Sequence, residues 1–173
     1  CLLAEYRGYG RSTGQSQLGR MLEDVKPTVE SLGCDSSSLI FFGRSVGSIF
    51  ALEAARLYPK AAGLILESGI ANVLERLLLR VDPDELELNL SEFTSLVNQR
   101  FNHQKVLADF EGRLLVLHSQ HDGLIGLCHG EQLFAWGRNR KALKVFPTGD
   151  HNSILAVNFE EYFKLTAQLI AET

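Results

Sequence analysis

The chain has 173 residues, 45% of them hydrophobic and 22% charged, and a formal charge of −4. That length suits one domain with a core of its own and is short for two, and the composition weighs against a disordered or membrane-embedded chain; mild acidity without a long basic run weighs against nucleic acid as a partner. Three widely spaced cysteines, Cys1, Cys34 and Cys128, form no Cys-x-x-Cys pair, which argues against a disulfide framework or zinc knuckle and for a reducing, cytoplasmic compartment.

Cys1 to Glu5 reads as a short apolar strand running into Tyr6-Arg7-Gly8-Tyr9-Gly10-Arg11-Ser12-Thr13-Gly14, a tight glycine-rich loop. A first residue that is not Met, set directly in a strand, predicts that the chain is part of a longer protein. Leu18, Met21, Leu22, Val25, Val29 and Leu32 recur at helical spacing, with Pro27 predicting a kink and Gly33 a stop. Asp35 to Ser38 is a loop before the buried strand Leu39-Ile40-Phe41-Phe42. That strand breaks into Gly43-Arg44-Ser45-Val46-Gly47, and Ile49 to Leu57 continues as a helix ending before Pro59. A serine at a sharp strand-to-helix turn, with glycines two before and two after, is the pattern of a nucleophile elbow.

Ala62 to Leu66 predicts another buried strand, followed by a leucine-rich helix over Asn72 to Val81, an acidic connection over Asp82 to Leu90 and a short helix over Phe93 to Phe101. Leu114 to His118 is a strand, Leu127 to Trp136 a helix, Leu143 to Phe146 a strand, Pro147 to Asn152 a loop and Ile154 to Ile170 a last amphipathic helix. Unbroken apolar strands separated by helices require a mostly parallel sheet covered on both faces, an α/β, doubly wound class in one domain over residues 1–173. The strandless interval 70–110 reads as a short helical cap, with Leu74, Leu77 and Leu78 as candidates to line a substrate site. No transmembrane run is present.

A serine hydroxyl needs a base to take its proton, and the base needs an acid to fix its tautomer. Asp122 follows the Leu114 strand and His151 the Leu143 strand, both where parallel sheets place their sites, so the chain order is Ser45, Asp122, His151. Asp150 is the rival acid, but adjacent side chains diverge, and it is expected to face solvent or cap the last helix. His118, His121 and His129 beside Asp122 are ligand types that straddle a strand end, and no metal is expected there.

These stretches resemble an α/β-hydrolase of the serine-aminopeptidase-like group, which includes bacterial hydrolases and eukaryotic α/β-hydrolase-domain esterases and protein depalmitoylases. The matching pieces are Glu5 to Ser12, Gly43 to Ser48, Leu64 to Ser68, His118 to Ile125 and Gly149 to Asn152. The resemblance implies Ser45 as nucleophile, Asp122 as acid, His151 as base and the Val46 amide as one oxyanion donor. It implies hydrolysis of a carboxylic ester, thioester or amide in a small-molecule or acyl-bearing substrate through an acyl-enzyme, without cofactor or metal. Ser119 and Gly126 stand where the family usually has glycine and proline. The family's first strands, and the His-Gly loop that carries its second oxyanion donor, have no counterpart here. That gap motivates the alternative of a non-catalytic binding domain of the same fold.

Overall fold

The computed structural model describes residues 1–138 and 140–173. Its sheet is built from the apolar runs β1 (Ile40–Arg44), β2 (Gly63–Glu67), β3 (Arg113–Ser119) and β4 (Lys141–Phe146), all parallel and in the order β1-β2-β3-β4. Successive side chains of a strand point to opposite faces. Leu64, Leu66, Leu114 and Val116 therefore face one side, with Leu52, Leu107 and Leu133, while Ile65, Leu115 and Leu117 face the other, with Phe146, Tyr162 and Leu169. Burial on both faces is why β2 and β3 read as continuous hydrophobic runs.

The helices are α1 (Leu18–Glu23), α2 (Val25–Glu30), α3 (Gly47–Leu57), α4 (Val73–Leu78), α5 (Leu90–Arg100), α6 (His103–Asp109), α7 (Leu127–Trp136), α8 (Ile154–Val157) and α9 (Phe159–Ala171). Helices α3, α6 and α7 pack together on the first face and α9 lies on the second, over β2 and β3. The expected doubly wound α/β architecture is thus present. A further apolar cluster joins Leu22, Ile49, Phe50, Ile70, Val73, Phe93, Val97 and Ile125, so the segment between β2 and β3 is anchored to the start of α3. Among the described residues no helix is long and apolar enough to cross a membrane.

Several expected elements form differently. Cys1 to Glu5 is not a strand: all five residues are exposed, and no ladder pairs them with β1, which is the edge of the sheet. A strand without a neighbour has no partners for its backbone. Phe42 lies opposite Ile65 on the α9 face yet is 53% exposed, because α9 covers β2 and β3. The first helical stretch breaks at Asp24 rather than at Pro27, with Asp24 bonded to the Arg7 guanidinium; Pro27 falls in the first turn of α2, where its missing N–H costs nothing.

The leucine-rich helix ends at Leu78, three residues early, and a short 3₁₀ turn at Pro83–Leu86 follows, capped by Asp82. Helix α5 begins three residues before Phe93 because Asn89 and Glu92 form a reciprocal capping box. Helix α6 was not expected; Asn102 caps it by accepting from the Lys105 amide at 3.0 Å. The last helix is two pieces, broken at Asn158, whose amide nitrogen donates to the carbonyls of Thr148 and Ile154, each at 2.9 Å.

The crossing of β1 and α3 is tight at Gly43, where an added Cβ would stand 2.5 Å from the Gly47 carbonyl oxygen and 2.7 Å from the Ala51 Cβ. Gly43→Ala is expected to lower stability by about 1–3 kcal/mol in urea melts, whereas Gly19→Ala, with nothing within 4 Å, leaves it unchanged or slightly raised. His103 at the start of α6 is 4% exposed and donates from Nδ1 to the Ile70 carbonyl at 3.0 Å. Burial pushes its pKa down to about 4 from 6.5, so the folded state favours the neutral ring. That contribution is complete above the unfolded value and is lost as pH falls through the folded one. Between pH 6.5 and about 4 the loss is up to about 3 kcal/mol. Urea midpoints at neutral pH and near about pH 4.5 are expected to differ less in His103→Gln than in the parent chain; equal differences would contradict this assignment.

Candidate active site

The turn after β1 sets the site. Ser45 has φ +53°, the left-handed region that disfavours residues with a Cβ, at a cost of about 1–2 kcal/mol. Three bonds hold it there. The Ser45 N–H donates to the Glu67 carbonyl at 2.9 Å, and the Ser45 carbonyl accepts from the Ser48 N–H at 2.9 Å and from the Ser48 hydroxyl at 2.6 Å. Ser48 is fully buried, and its oxygen also accepts from the Ile70 amide at 2.9 Å, so the elbow is pinned to the exit of β2 as well.

His151 lies in the loop after β4 and Asp122 in the loop after β3, and the structure brings both to Ser45. His151 Nε2 is 3.0 Å from Ser45 Oγ, and His151 Nδ1 is 2.8 Å from Asp122 Oδ2. The other Asp122 oxygen accepts from the Leu124 amide at 3.0 Å and the Ile125 amide at 2.8 Å. Burial pushes the Asp122 carboxyl up, but the Ile125 amide and the His151 ring outweigh it and hold its pKa below the ordinary value. An ionised carboxylate can only accept, so a neutral His151 ring carries its proton on Nδ1 and leaves Nε2 to accept from the Ser45 hydroxyl. Asp122 has a fully buried side chain and His151 is 6% exposed, so water competes weakly for these bonds.

The rival carboxylate is committed elsewhere. Asp150 is exposed, and one of its oxygens accepts from the amides of Asn152 and Ser153, each at 2.9 Å, and from the Ser153 hydroxyl at 2.7 Å. Val46 stands at the N-terminus of α3, where the first amides of a helix lack intrahelical partners and favour negative charge. Leu74 and Leu77 are partly buried against the cluster that includes Val73 and Phe93, while Leu78 is 39% exposed and lines an open groove of about 380 Å³ formed by Leu78 to Pro83.

Two of the other histidines near Asp122 hold backbone. Fully buried His118 donates from Nε2 to the Ile125 carbonyl at 2.8 Å, beneath the Asp122 loop. His129 Nδ1 accepts from the amides of Ala71 at 3.2 Å and Asn72 at 3.3 Å, and His121 is exposed. Among the described residues no three His, Cys, Asp or Glu side chains converge as a metal site would need. Ser119 had no expected role, yet its hydroxyl donates to the Gly149 carbonyl at 2.5 Å and accepts from the His121 amide at 3.1 Å, fastening the acid loop to the histidine loop. The signal lay in the departure from glycine at that position.

No protein-family model matches the chain. It is 23% identical over 163 residues to YfhR, an uncharacterized protein of Escherichia coli K12, a match covering 85% of this chain and 51% of that protein. The chain therefore spans about half the length of the curated relatives it matches. Among solved structures it is similar to a monoacylglycerol lipase of Paleococcus ferrophilus, with a TM-score of 0.66 and 15% identity over 93% of this chain and 78% of the other. It is similar also to MGS-MChE2, an alpha/beta hydrolase enzyme from a lagoon-sediment metagenome, with a TM-score of 0.67 and 17% identity over 97% of this chain and 76% of the other. With its parallel sheet, its flanking helices and these likenesses together, the chain has the α/β-hydrolase fold.

Proposed function

We propose that the protein is a serine hydrolase of the serine-aminopeptidase-like group, cleaving a carboxylic ester, thioester or amide through an acyl-enzyme. What carries this reading is the unbroken hydrogen-bonded series from Ser45 Oγ through His151 to the buried Asp122 carboxylate. In the proposed reaction Ser45 Oγ attacks the substrate carbonyl carbon and its proton passes to His151 Nε2. Asp122 keeps the ring oriented and stabilises the imidazolium. The carbonyl oxygen, now an oxyanion, takes a hydrogen bond from the Val46 amide. Collapse of the tetrahedral species breaks the bond to the leaving group, which His151 protonates, and a water activated by the same nitrogen then releases the acid from Ser45. The chemistry needs no metal or cofactor.

Residues 1–173 would form part of a single α/β-hydrolase domain with the interval 70–110 as its cap, in the cytoplasm. Leu78, one of several exposed leucines of the cap with Leu79, Leu86, Leu90 and Leu96, is the one proposed to touch an acyl chain, with Leu74 and Leu77 partly buried beneath it. The monoacylglycerol lipase among the similar structures favours an ester substrate over a peptide.

A fluorophosphonate probe is expected to label the protein at Ser45, and Ser45→Ala and His151→Ala to abolish labelling. Asp122→Asn, which leaves the shape but not the tautomer, is expected to lower p-nitrophenyl ester turnover by about 10⁴-fold. A folded protein that neither reacts with the probe nor turns over esters would be a binding domain instead. Across p-nitrophenyl esters of increasing chain length, Leu78→Asp is expected to reduce kcat/KM for long acyl chains and to spare acetate; equal loss on all chains would remove Leu78 from the acyl site.

A further inference from the structure

The residue before the proposed nucleophile reaches across the site to the histidine loop. Arg44 ends β1, and its Nε donates to Glu67 Oε1 at 2.9 Å. Its Nη2 donates to the main-chain carbonyl of His151 at 2.5 Å and to Asn152 Oδ1 at 3.1 Å. Glu67 ends β2 and is 2% exposed, and its other oxygen accepts from the Tyr162 hydroxyl at 2.5 Å. Tyr162, 4% exposed on α9, stacks on Phe146 at the end of β4 with ring centroids 6.2 Å apart. Burial, and then the neighbouring Glu67 carboxylate, raise the Tyr162 hydroxyl above its ordinary pKa, so it remains a donor.

A buried carboxylate demands a cation and further donors. Glu67 has both, and the guanidinium that satisfies it is thereby fixed in direction. A planar guanidinium presents N–H groups in a rigid fork, so anchoring Nε on Glu67 leaves Nη2 aimed at one place. That place is the backbone of His151. The ring of His151 is held at Nδ1 by Asp122 and meets Ser45 at Nε2, and the carbonyl bond adds a third fixed point on the same residue. Asp150 and Ser153 stiffen the loop internally but do not tie it to β1; Arg44 does.

We propose that Arg44, anchored by Glu67 and Tyr162, is a positioning residue that holds the His151 backbone and so sets the distance between the imidazole and Ser45. The inference rests on the serine-hydrolase reading and adds to it a residue that acts through His151. Arginine is required there, because a lysine ammonium can pair with Glu67 or reach the His151 carbonyl but lacks the fork that serves both.

The test compares p-nitrophenyl butyrate kinetics and fluorophosphonate labelling rates in the parent protein, Arg44→Met, Arg44→Lys and the double variant Arg44→Met/Glu67→Gln. The double variant removes both charges and so keeps a folded comparison if Arg44→Met alone, with Glu67 left unpaired, does not fold. Displacements near an ångström at reacting groups can cost up to 10²-fold, so the folded Met-containing variants are expected to lose about 10–100-fold in kcat and in labelling rate while KM changes less than about twofold. Arg44→Lys is expected to recover part of that loss. Folded variants with the parent kcat and labelling rate would overturn the proposal. So would losses that match the fraction of unfolded protein in thermal melts. A parent protein that is not labelled at all would instead overturn the hydrolase reading.

Discussion

The site depends on one strained peptide. Ser45 occupies a left-handed conformation that a residue with a Cβ leaves unless surrounding bonds forbid it, and here the Glu67 carbonyl and the Ser48 amide and hydroxyl do so. Those bonds exist because β1 and β2 are neighbours in a parallel sheet, with Arg44 opposite Glu67 at their ends. Gly43 lets α3 return directly over β1, so the hydroxyl is carried out of the sheet at the edge where the loops after β3 and β4 also emerge. Sheet register, a missing side chain and a strained φ are thus one constraint seen at three scales.

Around that point the polar groups are arranged so that a buried charge is affordable. Asp122 is wholly inside, where an unpaired carboxylate would be protonated or would unfold its loop, and two amides of its own loop plus the His151 ring keep it ionised. His118 holds the Ile125 carbonyl from below, and Ser119 ties this loop to Gly149. The result is a histidine whose protonated nitrogen is chosen by its surroundings, with the bare one turned toward Ser45. Glu67, buried at the end of β2, likewise has its oxygens paired, with Arg44 and Tyr162 as its partners.

Much of this was legible from residue types. Buried parallel strands appear as unbroken apolar runs whatever covers them, and Gly-x-Ser-x-Gly between such a run and a helix pattern marks the bend. The loops after two later strands could be ordered because a parallel sheet presents those ends together. What could not be read were features decided by contacts distant in sequence. Asn158 breaks the last helix by bonding Thr148, and Asp24 is drawn to Arg7; neither partner is visible from local periodicity. Cys1 to Glu5 has strand composition but no strand beside it, because pairing is a property of neighbours. Helix α6 is short and carries a buried histidine at its first position, which masks its apolar face. The role of Arg44 is not legible in the motif, since nothing local announces that Glu67 and the His151 carbonyl will stand within its reach.

The most direct test is the tautomer of the neutral His151 ring, observed by ¹⁵N NMR. The expected signature is a proton on Nδ1, hydrogen-bonded to Asp122 and far downfield, with an unprotonated Nε2, giving way to mixed tautomers in Asp122→Asn. A parent protein whose His151 is protonated on Nε2, or free to exchange between tautomers, would contradict the chain of bonds that the whole reading rests on.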